Sequence, residues 1–171
     1  MNQYTVLLVD DEEEVFQVIM KKLDWESMGF SIAGYARNGV EALEMAEELQ
    51  PDVVMTDIKM PYMDGLTLCK KLKELYQKVK VIIFSGFDEF EYAKEAIKIE
   101  AEEYILKPIE REKITEILKK LNAEIESRKE KEENNQKIGY QQMRHLMLSD
   151  EISGEEQRTI CLLYTSPSPR D

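Results

Sequence analysis

Two hydrophobic rhythms alternate along the chain. Tyr4–Val9 is a short, nearly continuous apolar run, the pattern of a strand buried on both faces. After Asp10 and Asp11, apolar residues recur at Val15, Phe16, Ile19, Met20 and Leu23, which share one face of a helix. Residues 30–36 predict a second strand. Asn38 is placed to cap a helix carrying Val40, Leu43, Ala46 and Leu49, and Pro51 marks the end of that helix. Residues 53–56 predict a third strand that delivers Asp57 at its tip. A turn-rich loop spans 59–65, and Leu68, Leu72 and Leu75 line a third helix. Val79 and residues 81–84 predict a fourth strand that ends at Ser85 and Gly86. A fourth helix is expected over 88–98, with Phe90, Ala93 and Ile97 turned inward. Residues 102–106 predict a fifth strand, polar at its start and so expected at the sheet edge. Lys107 and Pro108 follow, and Ile114, Ile117, Leu118, Leu121 and Ile125 mark a long fifth helix.

Five strand–helix repeats with short connections predict an α/β domain with a parallel sheet covered on both faces. Right-handed crossovers leave few ways to arrange it. This domain is assigned to residues 1–125, with a helical extension over 126–160. The charged stretch 124–133 is too polar for a core, and reads either as a solvated helix or as a signalling helix projecting from the domain. Beyond it, Tyr140, Met143, Leu146, Met147 and Leu148 predict a helix that packs on a further domain or a second subunit. His145, the single histidine, lies far along this linker and reads as incidental.

Composition narrows the function. The 171 residues suit one domain plus an extension, and 43% hydrophobic with 34% charged residues is a soluble, globular balance. A formal net charge of −12 repels phosphate backbones, so nucleic acid is a poor partner for this chain. No apolar run approaches the ~20 residues that span a bilayer. The N-terminus has no signal-like segment, so the expected location is the cytoplasm, away from membranes. Cys69 fits a core helix and Cys161 stands far from it, which suits neither a disulfide framework nor a zinc site.

In an open parallel sheet, ligands bind at the carboxyl ends of the strands. The first strand leaves Asp10 and Asp11 there, the third Asp57, the fourth Ser85 and the fifth Lys107. Three close carboxylates repel unless a cation sits among them, and Mg²⁺ takes such oxygen ligands. A metal there would shield Asp57 as a phosphoryl group approaches, while Lys107 pairs with a phosphoryl oxygen and Ser85 donates a hydrogen bond to another. A carboxylate is already a nucleophile, so no strong base is needed. Each residue also has a plainer reading: helix-opening acids for Asp10 and Asp11, a turn residue for Asp57, a cap for Ser85, a surface lysine for Lys107. Four such coincidences, each on a different strand, make the joint plain reading the weaker one.

Five motifs carry a family resemblance. They are Leu8-Val9-Asp10-Asp11-Glu12, Thr56-Asp57-Ile58-Lys59-Met60-Pro61, Met63-Asp64-Gly65, Phe84-Ser85-Gly86 and Tyr104-Ile105-Leu106-Lys107-Pro108. Over residues 4–125 the chain resembles the receiver domain of two-component response regulators. The resemblance implies a flavodoxin-like (βα)₅ fold, a doubly wound five-stranded parallel sheet of order 2-1-3-4-5. It implies that Asp57 is the phosphoacceptor, and that Asp11, Asp57 and the backbone carbonyl of Lys59 hold Mg²⁺, with Asp10 acting mainly through water. Ser85 would be the switch hydroxyl, Lys107 the phosphate-sensing lysine and Tyr104 the switch aromatic, with a cis Lys107–Pro108 bond. The implied partners are a sensor histidine kinase and a second copy, docked through the fourth helix, fifth strand and fifth helix. Such a domain is a phosphoacceptor that assists its own phosphorylation and dephosphorylation rather than an enzyme acting on others.

Residues 85–93 with Asp24-Trp25-Glu26 most resemble regulators with an AraC-type (YesN-like) output domain, which binds promoter DNA. Neither a recognition helix nor a basic patch follows residue 125. Residues 161–171 resemble the in-frame translation of a transposase sequencing adapter, so the natural protein is expected to continue into an output domain. DNA would then be contacted only through that missing domain. A stand-alone receiver acting through protein contacts is the alternative. An aspartate-nucleophile phosphatase of the haloacid-dehalogenase class ranks lower, because that class wants an acid where Lys59 stands.

Overall fold

The computed structural model describes residues 3–86 and 90–148. Residues 161–171, read above as adapter-derived, and Asp88, the expected start of the fourth helix, lie outside the described residues. In chain order the elements are β1 (Tyr4–Val9), α1 (Glu13–Lys22), β2 (Phe30–Ala36), α2 (Gly39–Leu49), β3 (Val53–Asp57), α3 (Gly65–Leu75), β4 (Lys80–Ser85), α4 (Phe90–Lys98), β5 (Glu103–Leu106) and α5 (Arg111–Leu148). A 3₁₀ turn over Glu26–Met28 precedes β2. Compact packing divides the chain into two units between Ala123 and Glu124. The first carries the sheet; of the second, residues 124–148 are described and are helical. Among the described residues no helix is long and apolar enough to cross a membrane.

All five strands are parallel, in the order β2-β1-β3-β4-β5. This is the expected doubly wound (βα)₅ sheet. β5 lies at an edge, as its polar start required. One face packs Leu7, Val9, Val54, Val81 and Ile83 against Ala42 and Ala46 of α2, Leu68, Cys69 and Leu72 of α3 and Ala96 of α4. Cys69 is a buried free thiol, and burial pushes its pKa up to about 12, so it is a packing residue and not a reactive one. On α5, Ile114, Ile117, Leu118 and Leu121 are buried as their spacing predicted, and Asn122 donates to the Gly29 carbonyl at 3.1 Å.

Two helix termini show how the chain stops and turns. Asn38 accepts from the Glu41 N–H at 2.9 Å, the predicted cap of α2. Asp64 does the same for α3 through Thr67 at 2.7 Å.

The inward faces depart from expectation in three helices. On α4, Phe90 and Ile97 are 76% and 78% exposed, and the buried face is built on Ala96, flanked by Tyr92 and Ile99. Residues 92, 96 and 99 share one helical face, whereas 90 and 97, seven apart, share the opposite one. Small Ala96 meets the sheet side and larger apolar residues are left outside. Leu75 on α3 and Val40 and Leu49 on α2 are likewise exposed, at the ends of their helices.

Candidate functional site

The carboxyl ends of β1 and β3 lie side by side, since Val9 pairs with Thr56. The chain continues from each into a carboxylate: Asp10 is 2% exposed and Asp57 9%. Carboxylate oxygens of Asp10, Asp11 and Asp57 lie within 4.8 Å of one another. Across from them the Lys107 ammonium is 3.3 Å from both Asp10 Oδ2 and Asp57 Oδ2. The four charged groups that the sequence placed on three strand tips therefore meet in one cluster.

Local structure fixes each of them. Asp57 Oδ1 accepts from the Ile58 N–H at 2.8 Å, which orients the carboxylate. The turn beyond is drawn tight by the Gly65 N–H donating to the Ile58 carbonyl at 2.8 Å. A Cβ at Gly65 would lie 1.9 Å from the Asp57 carbonyl oxygen, so only glycine lets α3 begin here. Asp10 Oδ1 accepts from the Glu12 N–H at 2.9 Å, and the Asp10 N–H donates to the Ala36 carbonyl at 3.0 Å. Lys107 is set by its own N–H, which donates to the Ser85 carbonyl at 2.7 Å, and its ammonium lies 5.3 Å from the Phe84 ring centroid. The Lys107–Pro108 bond is cis.

The other expected residues lie on β4, β5 and the loop after β3. Ser85 is fully buried at the tip of β4, one residue past Phe84, which pairs with Asp57. Tyr104 is half-buried on β5, opposite Ile83. The Lys59 side chain extends to α4, with its ammonium 5.8 Å from the Tyr92 ring centroid. Sequence reasoning did not foresee that contact. It also passed over Tyr35, whose hydroxyl donates to the Asp10 carbonyl at 2.6 Å and whose ring stacks on Phe16 at 4.3 Å between centroids. Tyr35 looked like one more strand residue, and no motif marked it.

The electrostatics follow from crowding. Burial raises the Asp10 pKa to about 6, the nearby Asp57 charge adds to the rise, and the Glu12 N–H and Lys107 work against it. Burial alone would lower the Lys107 pKa, but the charges of Asp10 and Asp57 and its hydrogen bonds to them outweigh that and raise it. Lys107 is therefore firmly cationic. Burial, then the Asp10 charge, raises the Tyr35 hydroxyl pKa and keeps it a donor. Three carboxylates facing one ammonium leave a surplus of negative charge, and all the acidic donors are oxygens. That donor set suits a hard divalent cation such as Mg²⁺. Among the described residues it is the one acidic or thiol–imidazole group close enough to hold a metal.

The profile of the response regulator receiver domain family matches residues 6–119. The chain belongs to that family. Its receiver domain is 45% identical over 122 residues to the transcriptional regulatory protein YesN of Bacillus subtilis, covering 71% of this chain and 33% of that protein. It is 34% identical over 118 residues to the transcriptional regulatory protein HptR of Staphylococcus aureus, covering 69% of this chain and 46% of that protein. The chain thus spans between a third and a half of these relatives. Among solved structures, the REC domain of AraT from Geobacillus stearothermophilus superposes with a TM-score of 0.69 at 36% identity, over 74% of this chain and 98% of that one. CheY in the CheX–CheY–BeF₃–Mg²⁺ complex from Borrelia burgdorferi matches the receiver fold with a TM-score of 0.62 at 29% identity, over 67% and 86% of the two chains.

Proposed function

We propose that Asp57 is the phosphoacceptor of a phosphorylation-activated response regulator, and that a sensor histidine kinase supplies the phosphoryl group. The observation that carries this is the Lys107 ammonium 3.3 Å from Asp57 Oδ2 and from Asp10 Oδ2. A fixed cation faces a nucleophilic carboxylate at the sheet's ligand-binding edge. The carboxylate forms a P–O bond as the P–N bond of a phosphohistidine breaks, and the imidazole leaves with a proton from solvent. Lys107 holds a phosphoryl oxygen as charge builds on it. Asp11, Asp57 and the Lys59 carbonyl would hold Mg²⁺, with Asp10 acting through water; the ion supplies electrostatic shielding between nucleophile and incoming oxygens.

Phosphorylation adds negative charge and acceptor oxygens beside the β4 tip. Ser85 would swing its hydroxyl to the phosphoryl group, and Tyr104 would turn inward behind it. That rearrangement favours a homodimer through α4, β5 and α5, where Phe90, Ile97 and Leu106 are exposed. The whole protein would act in the cytoplasm as a transcription regulator, contacting promoter DNA through an AraC-type domain outside this chain. Two relatives that are transcriptional regulatory proteins support this. Residues 126–160 would be the linker to that domain, and 161–171 adapter-derived.

The test is labelling with Mg²⁺ and a small acyl phosphate. The unaltered chain takes up one phosphoryl group and Asp57→Asn takes up none. Undiminished labelling of Asp57→Asn would place the acceptor elsewhere.

A further inference from the structure

Asp10 and Asp11 lie just past β1, on a turn whose outer flank is β2. β1 and β2 pair in simple register from Tyr4 with Phe30 to Val6 with Ile32, and then the register shifts so that Leu7 pairs with Gly34. Ala33 is the extra residue. Without it Tyr35 would pair with Val9, on the face where Val9 packs with α2 and α3. With it Tyr35 pairs with Leu8 and lies on the opposite face. There it stacks on Phe16 of α1 at 4.3 Å, with the ring planes 20° apart. The stack leaves the hydroxyl 2.6 Å from the Asp10 carbonyl oxygen. This carbonyl belongs to the peptide that joins Asp10 to Asp11. Its N–H side is the Asp11 amide, so fixing the carbonyl fixes the plane from which the Asp11 side chain departs.

We propose that Tyr35 is a positioning residue for divalent-cation binding, acting through the Asp10–Asp11 peptide. The inference rests on the Mg²⁺ reading of the acidic cluster given above. Neither Tyr35 nor Phe16 belongs to the acidic cluster of Asp10, Asp11 and Asp57. The hydroxyl removes the rotational freedom that Asp11, an exposed carboxylate at the head of a helix, would otherwise have to lose on binding. The bulge at Ala33 is the feature that makes this possible, since it re-aims one side chain toward the site.

Tyr35→Phe keeps the ring stack and deletes only the hydrogen bond, and Phe16→Leu weakens the stack while keeping the hydroxyl. Mg²⁺ affinity is read by titration calorimetry, with thermal midpoint as a fold control. Tyr35→Phe should weaken Mg²⁺ binding by about threefold to tenfold, the range of one lost hydrogen bond, with a near-native thermal midpoint. In acyl-phosphate labelling, the Mg²⁺ concentration at half-maximal rate should rise by the same factor, while the rate at saturating Mg²⁺ stays unchanged. Phe16→Leu should lower the thermal midpoint and shift Mg²⁺ affinity by less than Tyr35→Phe does. An affinity unmoved by Tyr35→Phe, in a chain that binds Mg²⁺, overturns this inference alone. So does a larger affinity loss in Phe16→Leu than in Tyr35→Phe. Absence of Mg²⁺ binding by the unaltered chain overturns this inference and the metal reading together.

Discussion

At the centre of the sheet, β1 and β3 are buried along nearly their whole length and run into Asp10 and Asp57. At the margin, β5 is only partly covered, and α4 turns Phe90 and Ile97 to solvent. The centre holds its carboxylates by packing, a backbone N–H to each, and a glycine where nothing larger fits. The margin is tied at both ends of its edge strand. Lys73 of α3 reaches the Val79 carbonyl at 2.8 Å and pairs with Glu102 just before β5. At the other end of β5, Lys107 reaches the acidic pair. One end of the edge strand is thus moored to α3 and the other to the acidic cluster. If Asp57 is the phosphoacceptor proposed above, a charge change at the packed centre should be expressed at the margin.

Stability should divide along the same line. Leu68→Ala, which empties space in the buried cluster that holds Val54 and Ile58, is expected to cost about 2–5 kcal/mol in denaturant unfolding. Ile97→Ala on the outer face of α4 should cost less than about 0.5 kcal/mol, yet weaken dimerisation on phosphorylation when measured by sedimentation. Equal destabilisation by the two would erase the distinction between centre and margin.

Asp10 sharpens it. Its carboxyl titrates near 6 when folded against 3.8 when free, so the folded state binds the extra proton between those values. A raised carboxyl pKa means that the ionised group opposes folding: metal-free stability from this residue increases as pH falls through about 6 toward 3.8. Asp10→Asn should therefore stabilise the metal-free protein at pH 7 by roughly 1–3 kcal/mol, with the gap to the unaltered chain closing toward pH 4. It should also weaken Mg²⁺ binding. Lower stability of Asp10→Asn at pH 7 would mean that the Lys107 pairing outweighs burial.

Lys107→Ala tests the mooring with the smallest change. Some label should remain, because the carboxylate nucleophile is intact, but phosphorylation should shift the dimer equilibrium less, by roughly fivefold or more. Normal dimerisation of labelled Lys107→Ala would remove Lys107 as the sensor.

The sequence announced the centre more clearly than the margin, for physical reasons. A strand buried on both faces must be apolar throughout, so β1, β3 and β4 were readable as runs, and the polar residue ending each run stood out. A helix at the margin follows a weaker rule. Phe90 and Ile97 obeyed a helical spacing and were expected inward, but they lie seven residues apart on the face that Ala96 does not share. Hydrophobicity alone cannot distinguish a face that covers a sheet from a face left for another molecule. Tyr35 escaped notice because its orientation depends on a one-residue bulge at Ala33, and a bulge leaves no signature in composition or periodicity. The Lys59–Tyr92 contact is invisible in sequence for a similar reason, since it joins a loop to a helix more than thirty residues away.

On the proposed chemistry, a divalent cation and Lys107 together make Asp57, and no neighbouring acid, accept a phosphoryl group. Reducing the phosphorylated chain with borohydride and mapping it by peptide mass spectrometry tests this at single-residue level. The reduced residue should appear at position 57 alone, and only when Mg²⁺ is present during phosphorylation. Modification at position 10 or 11, or equal modification of position 57 without Mg²⁺, would contradict it.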